Sequence, residues 1–218
     1  MTIQVLLADD HAILRDGLRA ILESQPDIKV VGGAEDGRQV LAMAQKIKPD
    51  IILMDIAMPQ LNGIDAAEQI LAFHPDIRII MLSMHSTSEY IQRAFRAGAK
   101  GYLLKDSAGQ EVVQAVRKVF EGHFFISQKI SDTIFEFMFT VSPQTHSTSS
   151  LDKLSMRERE VLQLVTEGKT SLEIAEILNL SPKSVDTYRS RIMQKLEISD
   201  IASLVKYAIK HGVISLDG

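Results

Sequence analysis

The sequence predicts an α/β domain built on a doubly wound, five-stranded parallel sheet, followed by an all-α domain of four helices. Three observations support this fold class. Short apolar runs alternate with longer amphipathic stretches over residues 1–122, which is typical of parallel strands buried between helices. Polar residues stand where four of these runs end. Residues 151–218 contain four helical segments with explicit start signals.

The first domain is predicted to alternate five strands with five helices. The strands are placed at 3–8, 28–34, 50–54, 77–82 and 101–104, and the helices at about 11–24, 36–47, 62–73, 87–97 and 108–121. Residues 123–150 are predicted to be a linker that contains a helix. Its last part, 142–150, is polar and lacks apolar periodicity. Its aromatic segment, 134–139, favours a helix that packs on the first domain or docks another domain or subunit.

Hydrogen-bonding side chains mark the helix starts of the second domain. Ser155–Glu158 and Thr170–Glu173 have the spacing of capping boxes. Ser181–Pro182 places an N-cap before a proline at the first helical position. Ser199 is predicted to open the last helix and Gly212 to close it. Four short helices of this kind predict one compact bundle with a single apolar core.

Composition and charge limit the class of protein. The chain has 218 residues, of which 45% are apolar and 24% charged, and it has no cysteine. Disulfide frameworks and thiolate metal sites are therefore excluded. No apolar run approaches the roughly 20 residues needed to span a bilayer, and Asp9-Asp10 interrupts the first run, unlike in a signal peptide. A cytoplasmic protein without a membrane partner is expected.

The polar residues at the strand ends are predicted to form one site. They are Asp9, Asp10, Asp55, Ser83 and Lys105. Carboxyl ends of parallel strands meet at one edge of the sheet, where carboxylates about 4 Å apart repel by about 4 kcal/mol per pair at an effective dielectric of about 20. The cluster must hold protons or recruit a cation, and an open, oxygen-only ligand set suits Mg²⁺. Beside Mg²⁺, an aspartate is able to accept a phosphoryl group, with Lys105 and Ser83 contacting its oxygens.

These residues, with Met58-Pro59 and Gly63 after Asp55, resemble the receiver domain of bacterial response regulators over residues 3–121. The resemblance implies a flavodoxin-like fold in which a partner histidine kinase phosphorylates Asp55. The implied Mg²⁺ ligands are Asp9, Asp10, Asp55 and the backbone carbonyl of Ala57, and the implied switch pair is Ser83 and Tyr102. His11 is predicted to be a solvent-facing or helix-start residue, because no two histidines have ligand spacing.

The helix predicted from Pro182 to about Leu196 has the features of a DNA-reading helix. Its apolar positions fall on one arc, and the opposite face is polar, short-chained and mildly basic, which suits the major groove. The candidate contacts are Lys183, Ser184, Asp186, Thr187, Ser190 and Arg191, with Arg189 and Lys195 at the flanks for phosphates. Residues 151–218 hold 10 basic and 10 acidic residues. One copy is therefore expected to bind DNA weakly, which favours pairing on adjacent half-sites.

The segments 154–162, Ile174–Ala175 and Ser184–Tyr188 resemble the LuxR-type DNA-binding domain over residues 151–212. Together the two resemblances indicate a NarL/FixJ-type response regulator. They imply a transcription factor that binds double-stranded DNA and is switched by phosphorylation of Asp55, through homodimerisation or release of the DNA-binding domain. The turn Gly168–Ser171 departs from the family, which more often has an Asn-Lys pair after the hydroxyl residue, so that phosphate contact is not carried over.

Two other functions fit parts of the sequence. One alternative is a DNA-binding regulator that works through protein contacts of its first domain without phosphorylation, although the intact acidic set disfavours this. A phosphatase or phosphotransferase with an aspartyl intermediate would need a general acid near Asp55, and the residue two positions on is Ala57. We therefore expect a regulator rather than an enzyme, beyond any catalysis by the receiver of its own phosphotransfer and dephosphorylation.

Overall fold

Strands and helices alternate through the first domain, as the sequence predicts. The computed structural model describes residues 2–130 and 150–214. The elements of the first domain are β1 (Ile3–Ala8), α1 (Ala12–Glu23), β2 (Ile28–Ala34), α2 (Gly37–Ile47), β3 (Ile51–Asp55), α3 (Gly63–Phe73), β4 (Arg78–Ser83), α4 (Ser88–Arg96), β5 (Gly101–Leu104), α5 (Lys105–Phe120) and β6 (Phe125–Ile126). Among the described residues, no helix combines the length and the apolar character needed to cross a membrane.

The sheet is parallel throughout, in the order β2-β1-β3-β4-β5-β6. The five predicted strands are present, and β6 is an additional one. It joins the sheet because Phe125 N donates to Lys100 O over 3.0 Å and Ser127 N donates to Tyr102 O over 2.9 Å. Two residues are too few for a periodicity to be recognised in the sequence. β6 lies in the segment predicted as a linker, 123–150, and the helix predicted there around its aromatic part falls outside the described residues.

Apolar cores lie on both faces of the sheet, because successive side chains of a strand point to opposite faces. In β3, Ile51 and Leu53 pack with α1 and α5, whereas Ile52 and Met54 pack with α2, α3 and α4. All four side chains are fully buried. Burial on both faces explains why this strand is a continuous apolar run rather than an alternating one.

The strand register brings the polar strand ends to one edge. The aligned pairs there are Ala8 with Met54, Asp55 with Leu82, and Ser83 with Leu104. Asp9, Asp55 and Ser83 therefore lie within about one residue of the same level on adjacent strands. Helix α5 begins at Lys105, earlier than the predicted start at 108. The prediction started late because residues 105–107 include no apolar side chain, so the helical periodicity is not visible there.

The start of α3 is pressed against the end of β3. A Cβ on Gly63 would lie 2.0 Å from the backbone oxygen of Asp55, so only glycine fits there. Gly63 N donates to Ile56 O over 2.8 Å, and the side chain of Asn62 caps α3 by accepting from Asp65 N over 3.0 Å. These contacts fix the short loop between Asp55 and α3.

The second domain consists of four helices around one apolar core, preceded by a 3₁₀ turn at 150–153. The helices are α6 (Met156–Thr166), α7 (Ser171–Leu178), α8 (Pro182–Leu196) and α9 (Ile201–Lys210). The capping boxes predicted at Ser155–Glu158 and Thr170–Glu173 are confirmed, as is the cap at Ser181. The predicted opening of the last helix at Ser199 is wrong by one residue, because the carboxylate of Asp200 caps α9 and is as good an N-cap as a hydroxyl.

Replacing Gly63 by alanine is expected to destabilise the protein by about 1–3 kcal/mol, because the new methyl group meets backbone rather than a movable side chain. Gly17→Ala in α1 is the matched control. No atom lies within 4 Å of a Cβ added at Gly17, and alanine is preferred to glycine inside a helix by about 0.5–1 kcal/mol. Urea unfolding followed by circular dichroism measures both variants. Equal stability of the two would contradict the close contact at Gly63.

Candidate functional site

Three carboxylates meet where β1 and β3 end. Asp9 and Asp55 are 1% and 2% exposed, and Asp10 is partly exposed. One ligand atom of each, together with a ring nitrogen of His11, lies within 4.8 Å of the others. His11 is the N-cap residue of α1 and half-exposed, as predicted, but its Nδ1 also lies 2.8 Å from Asp10 Oδ1. The sequence does not predict that His11 belongs to the cluster, and its position next to Asp10 is the only signal for it.

Lys105 bridges the two buried carboxylates. Its Nζ lies 2.8 Å from Asp55 Oδ2 and 3.0 Å from Asp9 Oδ2. One ammonium group against three carboxylates leaves an excess of negative charge. Both Oδ2 atoms are buried and accept no well-aligned hydrogen bond within the described ranges. This donor set fits a hard divalent cation such as Mg²⁺, which binds carboxylate oxygens and retains several waters.

Ser83 and Tyr102 are buried beside the carboxylates, and both side chains form hydrogen bonds with the backbone of His85. Ser83 Oγ accepts from His85 N over 3.0 Å, and Tyr102 OH donates to His85 O over 2.8 Å. A cavity of about 640 Å³ in front of Asp55 is also lined by Ser83 and Ala57. The structure thus brings together all the residues of the predicted pocket, with Tyr102 connected to it through His85.

Burial raises the pKa of Asp55 to about 6, although the Lys105 ammonium opposes this effect; the neighbouring charge of Asp9 adds to it. Burial alone would lower the pKa of Lys105, but the carboxylates of Asp55 and Asp9 outweigh it, so this pKa is raised above its ordinary value. Burial also raises the pKa of Tyr102 to about 12. At neutral pH the pocket therefore contains an ionised Asp55, a firmly charged Lys105 and a neutral phenol that donates a hydrogen bond.

The outward face of α8 is open to solvent, while Val185 and Ile192 on the other face belong to the apolar core. The exposed residues are Lys183, Asp186, Thr187, Ser190, Arg191 and Gln194, and Ser184 is half-buried. Thr187 Oγ1 donates to Lys183 O over 2.9 Å, and Ser190 Oγ donates to Asp186 O over 3.0 Å. Their hydroxyl lone pairs remain available as outward acceptors.

Three of the predicted DNA contacts pair with side chains on other helices of the second domain. Lys195 Nζ lies 2.6 Å from Glu158 Oε2. Asp186 Oδ1 accepts from Ser171 Oγ over 2.7 Å, and Arg189 Nη1 donates to the same hydroxyl over 3.5 Å. These side chains tie α8 to the starts of α6 and α7. These pairs could not be predicted from the sequence, because their members lie on different helices.

Replacing Asp55 by asparagine is expected to stabilise the metal-free protein more at pH 7.5 than at pH 4. The pKa of about 6 in the folded chain exceeds the ordinary 3.8, so ionisation of Asp55 opposes folding. The cost is nearly absent below pH 4 and reaches about 3 kcal/mol above pH 6. Because Lys105 loses one of its two carboxylate partners in the variant and keeps Asp9, we expect a gain of about 1–3 kcal/mol at pH 7.5, measured by urea unfolding in EDTA.

Asp76→Asn is the control for this comparison, since Asp76 is exposed and precedes β4 at the opposite end of the sheet. Its effect is expected to stay within about 0.5 kcal/mol at both pH values. A stabilisation by Asp55→Asn that is the same at pH 4 and pH 7.5 would contradict the raised pKa.

Comparison with known proteins identifies the family of both domains. Residues 5–117 match the model of the response regulator receiver domain, and residues 152–208 match that of the bacterial regulatory proteins of the luxR family. The chain is 38% identical over 212 residues to the transcriptional regulatory protein YxjL of Bacillus subtilis, with 97% of each chain covered. It is 38% identical over 215 residues to the response regulator UvrY of Escherichia coli, covering 99% of this chain and 97% of UvrY.

Solved structures of response regulators are similar to this chain. A LuxR-family two-component response regulator from Aurantimonas is 34% identical, with a TM-score of 0.62, over 64% of this chain and 99% of its own. The RcsB–DNA complex contains a response regulator that is 27% identical, with a TM-score of 0.60, over 97% of this chain and 99% of its own. The second similarity extends across the α/β domain and the helical domain alike. The chain therefore belongs to the two-component response regulators of the NarL/FixJ type, transcription factors that join a receiver domain to a LuxR-type DNA-binding domain.

Proposed function

We propose that phosphorylation of Asp55 switches the binding of this response regulator to double-stranded DNA. The observation that carries the proposal is the buried meeting of Asp9, Asp10 and Asp55 with Lys105, whose Nζ lies 2.8 Å from Asp55 Oδ2. A carboxylate that is ionised at neutral pH beside a fixed cation is a suitable nucleophile for phosphoryl transfer. The proposed domains are the receiver at 1–122, a linker at 123–150 and the DNA-binding domain at 151–218.

The proposed phosphoryl donor is a phosphohistidine of a partner histidine kinase. An oxygen of Asp55 attacks the phosphorus, the phosphorus–nitrogen bond breaks, and its electron pair stays on the imidazole, which takes a proton from solvent. Lys105 pairs with one phosphoryl oxygen, and the hydroxyl of Ser83 donates to another. When bound by Asp9, Asp10, Asp55 and the carbonyl of Ala57, Mg²⁺ supplies positive charge that offsets the charge of the transferred group.

We propose that Ser83 and Tyr102 transmit the change at Asp55 to the surface of the receiver. Both side chains are bonded to His85, Ser83 through the amide and Tyr102 through the carbonyl. A Ser83 hydroxyl that turns toward a phosphoryl oxygen gives up the His85 amide. Because the carbonyl of His85 also accepts the hydrogen bond of Tyr102, a displacement of His85 releases the Tyr102 ring as well. The change therefore reaches the start of α4, which follows at Ser88.

The proposed output is pairing of two chains on DNA. A domain of zero net charge neutralises few phosphates, so one copy binds weakly, whereas two linked copies gain from effective concentration. The outward face of α8 is exposed while the two domains are in contact. One of these contacts is the hydrogen bond that Asn62 N donates to Gln163 Oε1. Release is not needed to uncover this face, which favours dimerisation as the switch. Membership of a DNA-binding family supports the cytoplasm as the proposed site of action.

With Mg²⁺ present, beryllium fluoride is expected to convert the protein from monomer to dimer, because it mimics an aspartyl phosphate. Sedimentation velocity measures the mass, and ¹⁹F NMR reports the bound fluoride. Asp55→Asn should stay monomeric, since a neutral amide does not hold the fluoride complex. Asp76→Asn, which changes an exposed carboxylate away from the pocket, should dimerise like the parent chain.

Three results would count against parts of this proposal. Bound fluoride without a change in mass would contradict dimerisation and point to release of the DNA-binding domain. An Asp55→Asn variant that still accepts phosphate from an acyl phosphate would contradict the role of Asp55. A parent chain that binds no fluoride would favour a regulator that works through protein contacts of its receiver without phosphorylation.

Lys183→Ala is expected to weaken binding to every DNA sequence and to lower the slope of log affinity against log salt by about 1, the effect of one lost phosphate contact. Thr187→Ala is expected to change sequence preference, because good base contacts contribute about 1–3 kcal/mol of discrimination. Fluorescence anisotropy on several duplexes at several salt concentrations measures both. Lys46→Ala, an exposed lysine of α2, is the control. Equal losses for Lys183→Ala and Thr187→Ala on every duplex would contradict the assignment of the outward face.

A further inference from the structure

The DNA-binding domain touches the receiver beside two of the loops that leave the phosphorylation pocket. We call residues 56–62, which follow Asp55, the β3–α3 loop, and residues 84–87, which follow Ser83, the β4–α4 loop. Helix α6 contacts the first loop, and the segment after α9 packs on α4 beside the second. The proposed metal-binding carbonyl of Ala57 lies within the first of these loops.

The contact with the β3–α3 loop is made by a buried glutamine. Gln163 on α6 is 1% exposed, and its Nε2 donates to Met58 O over 2.9 Å. Its Oε1 accepts from Asn62 N over 2.7 Å. Met58 and Asn62 lie on either side of the middle of the loop, so one side chain holds the loop backbone at two points.

A second contact holds the residue between these two points. Gln60 has a φ of 65°, a left-handed conformation that a residue with a side chain rarely adopts. Its backbone N donates to Glu167 Oε1 over 2.9 Å, and Gln163 Nε2 also donates to that oxygen over 2.8 Å. The unusual turn of the loop is therefore stabilised from α6. Arg159 adds an ion pair to Asp65 at 2.6 Å, farther along α3.

The contact near the β4–α4 loop is made by backbone after α9. Gly212 packs so closely on the ring of Tyr90 that a Cβ there would lie 2.1 Å from the ring. The Tyr90 ring stacks on His85 with centroids 4.6 Å apart, and His85 is the residue that bonds to Ser83 and Tyr102. Arg93 on α4 also donates to the backbone oxygen of His211.

This arrangement leaves the DNA-reading side free, because the contacts are made by α6 and the segment after α9, whereas the outward residues of α8 are exposed. In the same arrangement, the ligand atoms of Asp9, Asp10 and Asp55 already lie within 4.8 Å of one another. Docking and an assembled pocket therefore occur together, and docking is compatible with DNA binding.

We propose that Gln163 and Gly212 are positioning residues, through which the docked DNA-binding domain keeps the phosphorylation pocket assembled and strengthens its binding of Mg²⁺ and of a phosphoryl group. Linkage makes the effect reciprocal: occupation of the pocket favours docking by the same factor. Phosphorylation then orients the reading domain rather than freeing it. The inference rests on the proposed role of Asp55 and deepens it.

The test uses the full chain with Gln163→Met, which keeps the length of the side chain and removes its donor and acceptor. Met58 O and Asn62 N then lose their buried partner, which penalises the docked form. Calorimetric titration with Mg²⁺ alone is expected to give a dissociation constant about fivefold higher or more, the lower end of typical couplings between sites. The matched control is Gln45→Met on the exposed face of α2, which should match the parent chain.

A second variant and a second readout separate positioning from loss of stability. Gly212→Ala places a methyl group against Tyr90 and should also weaken Mg²⁺ binding, and it carries the test if thermal unfolding shows Gln163→Met to be misfolded. Rotational correlation times from ¹⁵N relaxation report docking. In the parent chain, Mg²⁺ and beryllium fluoride should bring the values of the two domains together, and in Gln163→Met the values should stay apart.

Unchanged or tighter Mg²⁺ binding by the folded Gln163→Met chain would overturn the proposal, because docking would then be neutral or opposed to an assembled pocket. Correlation times that move apart when the parent chain binds fluoride would overturn it as well. Failure of the proposed function looks different: the parent chain would bind no beryllium fluoride, while weaker Mg²⁺ binding by Gln163→Met would still support the positioning role.

Discussion

Like charges are held together at the carboxyl edge of the sheet, where Asp9 and Asp55 are almost completely buried and share the ammonium group of Lys105. Two carboxylates about 4 Å apart repel by about 4 kcal/mol at an effective dielectric of about 20. They remain there because the backbone pairing of β1 with β3 fixes where each strand ends. The uncompensated charge makes this edge fit a cation, which would supply the positive charge that phosphoryl transfer needs.

The same edge explains how an event at one carboxylate reaches a distant helix. Each strand of the sheet is followed by a connection at this edge, and the loops after β3 and β4 lie beside the contacts with the second domain. Gln163 bonds to the backbone of the first, and Gly212 packs on the ring that stacks against His85 in the second. Because buried donors and acceptors are costly to leave unpaired, these contacts couple the conformation of the loops to the position of the DNA-binding domain.

In the second domain, one face of α8 packs in the core and the opposite face is the one proposed to read DNA. Val185 and Ile192 are buried in the core, and the other side of the helix is exposed. Glu158 caps α6 and also pairs with Lys195 at the far end of α8, so one carboxylate ties the reading helix to the helix that contacts the receiver. The orientation of the reading face is therefore set by the same helix that holds the loop after Asp55.

The sequence alone determined the alternation of strands and helices, the capped starts of α6, α7 and α8, and the meeting of Asp9, Asp55, Ser83 and Lys105, because periodicity and caps are local signals and a parallel sheet places its strand ends together. Only the tertiary structure decided the pairing of β6, the pair between Lys195 and Glu158, and the burial of Gln163. A strand of two residues has no periodicity, and a glutamine on a helix has the same sequence signal whether it faces water or another domain. The partners of such a strand or side chain depend on which surface packs against it, and long-range packing decides which surface that is.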